Sequence, residues 1–359
     1  MKVIYYIDNM HFGGAARKLC LIANELVKRD VQVWIATNTH NGIGFPLSEK
    51  VSVLELYTKD AYTKGRFSRL WDVLKRSRQI AKEVGPDIIV SIIPHVTLDV
   101  KVATIGLDIP TIFSDETSFA RKDNKIDHFV RHWFYRFGDA ITLLTNNDAK
   151  ILGEKYPQKV VIHNPLVYSK FSGETTRENI ILAVGPLKEW EIKGFDLLLQ
   201  AFAQLSSKYP EWKIQIAGKI EKKGLTKLQQ EIIRLNLEGK VDFLDFCPHI
   251  EEVMRKASIY ALSSRIEGFS LSLVEAISQG CACIAFDNYG VISEVTDGGK
   301  GTIIVKDGDA EAYSKNLEKL ISDEQLRKSL VIEGEAIIDK YKIESIVDQW
   351  VSLFNKLKR

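Results

Sequence analysis

Cysteine is scarce in this sequence: four in 359 residues, with Cys20 and Cys247 isolated and Cys281 and Cys283 spaced as CxC in an apolar stretch. A disulfide framework is excluded, and buried reduced thiols are expected. No short-period repeat and no low-complexity tract is present, which removes solenoid, fibrous and disordered classes. No window approaches the ~18 consecutive apolar residues of a transmembrane helix. The opening Met-Lys-Val-Ile-Tyr-Tyr-Ile-Asp has neither the apolar core nor the small-residue cleavage site of a signal peptide. A cytoplasmic protein, or one on the cytoplasmic side of a membrane, is expected. Charge excess is missing as well. Forty-nine Lys plus Arg against 47 Asp plus Glu leave +2, which speaks against a nucleic-acid partner. Neither GxGxxG nor GxxxxGK followed by Ser or Thr occurs, which disfavours a dinucleotide dehydrogenase and a P-loop NTPase.

What is present is an ordinary globular mixture, 45% hydrophobic and 27% charged, long enough for two domains. Short apolar runs alternate with longer amphipathic ones, the pattern of βαβ units and parallel sheets. Strands are predicted at Lys2–Asp8, Val31–Thr37, Val51–Leu56, Asp87–Ile92, Pro110–Ser114, Ala140–Leu144 and Val160–His163. Helices are predicted between them, at Ala15–Lys28, Arg66–Val84, Thr97–Ile105, Lys125–Arg136 and Asn146–Glu154. Tyr168–Glu178, polar and rich in Gly, Ser and Thr, reads as a linker. The alternation then restarts from Ile180–Val184, and the last ~50 residues read as mostly helix. The expected domains are 1–165 and 178–340, with the final helix (344–359) crossing back to the first.

Charge is unevenly placed along this frame. Residues 57–82 hold eight basic and two acidic residues, and Phe67, Leu70, Trp71, Leu74 and Ala81 fall near one helical face among them. A basic amphipathic helix with interfacial aromatics suits an anionic surface; the plainer alternative is a domain helix whose charges meet water.

Three features carry chemistry. Gly13 and Gly14 follow the first strand, where glycine lets backbone amides and a helix N-terminus approach a phosphate. Alone they equally make a tight turn. Glu267-Gly-Phe-Ser-Leu-Ser-Leu-Val-Glu275 places two carboxylates at one mouth, with helix-end amides between them to meet a diphosphate. The alternative is local: Ser272-x-x-Glu275 is a capping-box pattern, in which Glu275 caps its own helix. Metal sites are weakly indicated. Asp307-Gly-Asp309 precedes a late helix that Asp309 is expected to cap, and His128 and His132, four apart, lack the Glu of HExxH and read as helix-surface residues.

The ordered set is more specific than any member. Glu-x7-Glu leading into a helix that ends at Gly280, Val184-Gly185-Pro-Leu with Lys193-Gly-Phe-Asp, the early Gly13-Gly14 turn and His163-Asn-Pro together resemble the family-4 glycosyltransferases of the GT-B fold. The resemblance spans nearly the whole chain. It implies two Rossmann-like domains facing across a cleft, and transfer from a nucleotide-diphosphate sugar with retention, without metal or other cofactor. UDP is the expected nucleotide. The implied acceptor is a glycan or a polyprenyl-pyrophosphate-linked oligosaccharide of the surface-polysaccharide type, with the 64–82 helix against the acceptor or an anionic membrane.

Carried over by position, the resemblance gives Gly13 and Gly14 to the diphosphate and Lys193, with Lys188 nearby, to its charge. Glu267 falls to donor-sugar hydroxyls, Glu275 to the ribose, and Gly268, Phe269, Ser270 and Leu271 to the sugar–phosphate region. Cys247 falls at the base. Three positions depart from the pattern. Pro186 stands where Arg is common, Asp245 where Gly is frequent, and Glu116 where the acceptor-side loop usually has His, which makes Glu116 a catalytic candidate with Glu267 and Lys193. A sugar-nucleotide epimerase and a nucleotide-sugar-binding module without turnover remain as alternatives.

Overall fold

The computed structural model describes residues 1–359 apart from 12, 41, 58–64, 157, 174 and 359, and apart from the side chain of Arg66. The chain forms two compact units: Met1–Val167 with Tyr341–Arg359, and Tyr168–Lys340.

In the first unit the strands are β1 (Lys2–Asn9), β2 (Gln32–Asn38), β3 (Ser52–Glu55), β4 (Ile88–Ile92), β5 (Thr111–Ser114), β6 (Ala140–Leu143) and β7 (Lys159–Val161). They pair in parallel in the order β3-β2-β1-β4-β5-β6-β7. Helices cover both faces, so β1 is apolar on both. Val3, Tyr5 and Ile7 face one core, and Ile4 and Tyr6 the other. The helix Ile343–Leu357 closes the first core with Ile346, Val347, Trp350, Leu353 and Phe354. Trp350 stands edge-on to Tyr5 at 6.5 Å, and Arg29 pairs with Asp348 at the rim.

The second unit repeats the scheme with β8 (Glu178–Val184), β9 (Lys213–Ala217), β10 (Val241–Leu244), β11 (Ala257–Leu262), β12 (Ala282–Asp287) and β13 (Thr302–Lys306). All pairs are parallel, in the order β10-β9-β8-β11-β12-β13. Strand β13 went unread in the sequence because Gly298, Gly299 and Gly301 crowd its start and mask a five-residue run.

Three further readings are corrected. The polar segment after Val167 is not a loose linker but is stitched to the second unit. Phe171 N donates to Ser278 O (2.9 Å), and Arg177 donates to the carbonyls of Ala257 (2.7 Å) and Gln279 (2.8 Å). The expected helix Lys125–Arg136 is three pieces: α-helix to Phe129, a π-turn Val130–Phe134, and a 3₁₀ turn Tyr135–Phe137. The widened turn accompanies a buried anchor, in which Arg131 and Tyr135 both bind Asp115. Cys20, Cys281 and Cys283 are buried free thiols, but Cys247 is partly exposed because it lies in a loop past β10. Asp309 does cap its helix, accepting from Ala312 N (2.9 Å).

Candidate functional site

In a parallel sheet, ligand sites form outside the carboxyl ends of strands, where the strand order reverses. In the second unit that point lies between β8 and β11, because the chain leaves β8 for β9 on one side and returns to β11 on the other. The loops after these strands carry Lys193 and Glu267. Glycine makes their meeting sterically possible. A Cβ on Gly194 (φ +63°) would sit 1.9 Å from the Ser263 carbonyl oxygen, and one on Gly218 would sit 2.1 Å from that of Gly185. Gly185 itself lets the Lys193 stem lie against the backbone.

Hydrogen bonds then fasten loop to loop. Arg265 N donates to Ile192 O (2.7 Å), Ser263 Oγ to Lys193 O (3.0 Å), and the Arg265 guanidinium forks onto Asp196 at 2.8 and 2.7 Å. The outcome is an ion pair, Lys193 Nζ to Glu267 Oε1 at 2.9 Å, with side chains 19% and 8% exposed. Burial alone would lower the Lys193 pKa; the charge and hydrogen bond of Glu267 outweigh it and hold the ammonium above the ordinary lysine value.

Gly268 and the buried Phe269 lead from Glu267 to Ser270, which adopts a left-handed conformation (φ 61°, ψ 64°) at the head of the helix Leu271–Ser278. Such a conformation costs a non-glycine residue about 1 kcal/mol or more. Ser270 Oγ is buried and has no hydrogen-bond partner among the described residues, and no side chain caps the helix. The head of this helix therefore offers amides and a hydroxyl to a ligand rather than to its own chain. The capping-box alternative is not realised. Ser272 lies inside the helix and accepts from Tyr260 OH (2.7 Å), while Glu275 is its fifth residue and is buried.

Lys188 is exposed on a 3₁₀ turn after β8. Cys247 lies farther along the same edge, after β10, with Sγ 3.1 Å from Asp245 O; burial and the neighbouring Asp245 push its thiol up. Asp245 binds the amides of Ile220 (3.1 Å) and Phe246 (2.7 Å), which hold its carboxyl below the usual range. It stitches the loops after β9 and β10 together, a use no glycine could serve.

Gly13, Gly14 and Glu116 belong to the first unit. Gly13 (φ +123°) and Gly14 head the helix Gly14–Lys28, with no atom within 4 Å of where a Cβ would stand on either. Glu116 accepts from Lys18 at 2.9 and 3.0 Å and from Ser114 Oγ at 2.7 Å, and both members of the ion pair are 6% exposed.

The first unit also holds a cavity of about 530 Å³ that sequence reasoning missed. It opens at the carboxyl ends of β1 and β2, lined by Asp8, Asn9, Asn38, Tyr57, His95 and Asp99, with Arg69 and Leu70 from the helix Arg66–Val84. Asp8 accepts from Tyr57 OH (2.7 Å). Burial raises Asp99 to about 6, with His95 lowering it and Asp8 adding to the rise. The available signal was polar Asp-Asn at the end of an apolar strand.

That helix departs from its expected face. Its buried line runs through Val73, Ser77, Ile80 and Ala81, leaving Phe67 88% and Trp71 69% exposed. Arg78 donates to the carbonyls of Ala103 and Ile105 (both 2.8 Å) and Arg76 to Glu55 O (3.2 Å), so these two charges hold the domain. Lys59 and Lys64 lie outside the described residues.

Two Rossmann-like units, each with a polar site at its switch point, define the GT-B class of glycosyltransferase. The family models agree. Residues 12–167 match Glycosyltransferase Family 4 and residues 167–336 match Glycosyl transferases group 1. The chain belongs to this family and is a glycosyltransferase. It is 29% identical, over 100% of its length and 99% of the relative's, to the Campylobacter jejuni GalNAc-alpha-(1->4)-GalNAc-alpha-(1->3)-diNAcBac-PP-undecaprenol alpha-1,4-N-acetyl-D-galactosaminyltransferase. Among solved structures, sucrose-phosphate synthase from Thermosynechococcus elongatus superposes with a TM-score of 0.82 at 16% identity, covering 99% of this chain and 98% of that one. Anabaena HepE in complex with UDP and glucose gives 0.80 at 19% identity, covering 99% and 100%.

Proposed function

We propose that this enzyme transfers a sugar from a UDP-sugar to a lipid-linked or polysaccharide acceptor, with retention of anomeric configuration and without a metal ion. The observation that carries the reading is the Lys193–Glu267 pair beside the uncapped head of Leu271–Ser278. A departing nucleoside diphosphate gains negative charge, and a buried ammonium with helix-head amides stabilises it without a divalent cation. Glu267 accepts hydroxyl protons of the donor sugar and Glu275 those of the ribose, while the Gly268–Leu271 backbone and Ser270 Oγ meet the sugar–phosphate region. Lys188 adds to diphosphate binding, and Cys247 lies at the base.

The acceptor reading rests on the first unit. Its cavity is sized for a glycosyl unit and lined by carboxylates, amides and a phenol that bind sugar hydroxyls. Glu116, paired with Lys18, is the acceptor-side carboxylate. The Campylobacter relative, named for its action on an undecaprenol-linked glycan, supports a lipid-linked acceptor, and the HepE complex supports UDP. No described helix is long and apolar enough to cross a membrane. Exposed Phe67 and Trp71 beside Arg69, Lys75 and Lys82 support peripheral docking on an anionic cytoplasmic leaflet.

The test is transfer from labelled UDP-sugars to polyprenyl-pyrophosphate-linked oligosaccharides in EDTA, with the product anomer read by NMR. Transfer with retention in EDTA is expected. Inversion, or strict dependence on Mn²⁺ or Mg²⁺, overturns the reading.

A further inference from the structure

Asp123, His128 and His132 come together on the first unit, outside every site assigned above. Asp123 ends the loop that follows β5, His128 lies on the helix Lys125–Phe129, and His132 lies on the π-turn. The two imidazole rings stand 4.2 Å apart between centroids. One ligand atom from each of the three residues lies within 4.8 Å of the others. Donors on a single zinc-sized ion, bound at about 2.0–2.2 Å, are separated by about 3–4 Å. Small rotations of two exposed imidazoles close that difference.

Asp123 Oδ1 is bonded by Arg131 Nη1, which fixes the carboxylate while its second oxygen can meet an ion. Two nitrogen donors and one carboxylate select the borderline divalent ions, zinc, cobalt and nickel, over magnesium or calcium.

We propose that Asp123, His128 and His132 form a transition-metal site of the zinc class that clips the loop after β5 to the helical segment 125–137. The same loop carries Glu116. Arg131 links the two ends, forking onto Asp115 at 2.8 and 2.9 Å while holding Asp123. The metal is structural: it steadies the Glu116 loop and takes no part in charge stabilisation at the donor site, so the proposal is independent of the metal-free transfer proposed above.

The test uses the full chain without a polyhistidine tag, stripped with EDTA and desalted. Calorimetric titration with ZnCl₂ is expected to give one equivalent bound at micromolar affinity. Zinc should also raise the unfolding midpoint by several degrees, and Mg²⁺ should not. His128→Ala and His132→Ala should each weaken zinc binding at least tenfold, leaving the zinc-free midpoint unchanged because both rings are exposed. Cys247→Ser, which removes the partly exposed thiol, should leave the zinc titration unchanged. Absence of zinc binding, binding that survives both histidine substitutions, or binding lost in Cys247→Ser overturns the site. Transfer activity in EDTA reports separately on the metal-free reading.

Discussion

The two switch points of this enzyme are built differently. In the second unit, between β8 and β11, the polar groups are locked to each other, with Lys193 on Glu267, Arg265 on Asp196 and Ser263 on the Lys193 carbonyl. In the first, between β1 and β4, the groups surround open volume, and Asp8, Asn38, His95 and Asp99 line a cavity. A site that meets an invariant group, a diphosphate and a ribose, gains from preorganised charge. A site that meets one of many glycans needs room and adaptable hydrogen bonding. The proposed function assigns charge stabilisation and acceptor choice to these separate structures, so each can be broken separately.

The largest effect is expected at the locked site. Lys193→Ala should slow transfer by about 10²–10³, as loss of a charge-stabilising donor does. Because the pair is largely buried, either single truncation should also destabilise the second unit, by on the order of 3 kcal/mol. Lys193→Met with Glu267→Leu should recover that stability without recovering transfer, as read by denaturant melts and a rate assay side by side. Recovery of both would reduce the pair to packing.

The Lys18–Glu116 pair offers the same dissection in the first unit. Glu116→Ala strands a buried ammonium and should cost about 3–5 kcal/mol. Lys18→Met with Glu116→Leu should restore stability. Transfer that remains low in the double variant assigns Glu116 to substrate; full recovery leaves it a structural partner of Lys18.

A smaller, salt-dependent effect belongs to the helix Arg66–Val84. Each basic residue near an anionic surface contributes about 1 kcal/mol. Reversing Arg69, Lys75 and Lys82 to Glu, while sparing Arg78 and its two carbonyl partners, should abolish flotation with anionic vesicles and leave donor binding intact. Raising salt should mimic it, because the Debye length falls to ~3 Å at 1 M. Equal flotation of variant and parent at low salt would remove the membrane from the acceptor side.

The smallest expected effect is a pH dependence. Burial raises Asp99 to about 6 in the folded chain, so its contribution to stability is present below about pH 4 and is lost as pH rises through about 6. Asp99→Asn should therefore raise the unfolding midpoint at pH 7.5 and leave it nearly unchanged at pH 4. A shift of equal size at both pH values would detach the effect from ionisation.

Legibility followed the same division. Lys193, Glu267 and Glu275 were singled out by the resemblance of their motifs, and the structure brings the first two together as an ion pair. The β-strands other than β13 were readable because parallel strands buried on both faces are continuous apolar runs. What stayed hidden depends on long-range packing. Asp8, Asn38 and Asp99 are far apart in sequence and meet only once β1 is paired with β2 on one side and β4 on the other. The broken helix after Lys125 follows from Asp115 binding both Arg131 and Tyr135, which no local pattern announces. Glu116 was singled out by the resemblance of its loop, but its partner Lys18, 98 residues away, was not.

The central claim is that the second unit recognises the donor through Glu267 with no metal. Thermal shift of the full chain against a panel of nucleotide-sugars in EDTA tests it most directly. At 100 times its dissociation constant a donor stabilises by ~2.7 kcal/mol. At least one UDP-sugar is expected to raise the midpoint of the parent by several degrees and to do so far less for Glu267→Ala, while the cavity variant Asp99→Asn responds like the parent. Contradiction would be a parent that responds to no nucleotide-sugar until Mg²⁺ or Mn²⁺ is added, or a Glu267→Ala variant that responds in full.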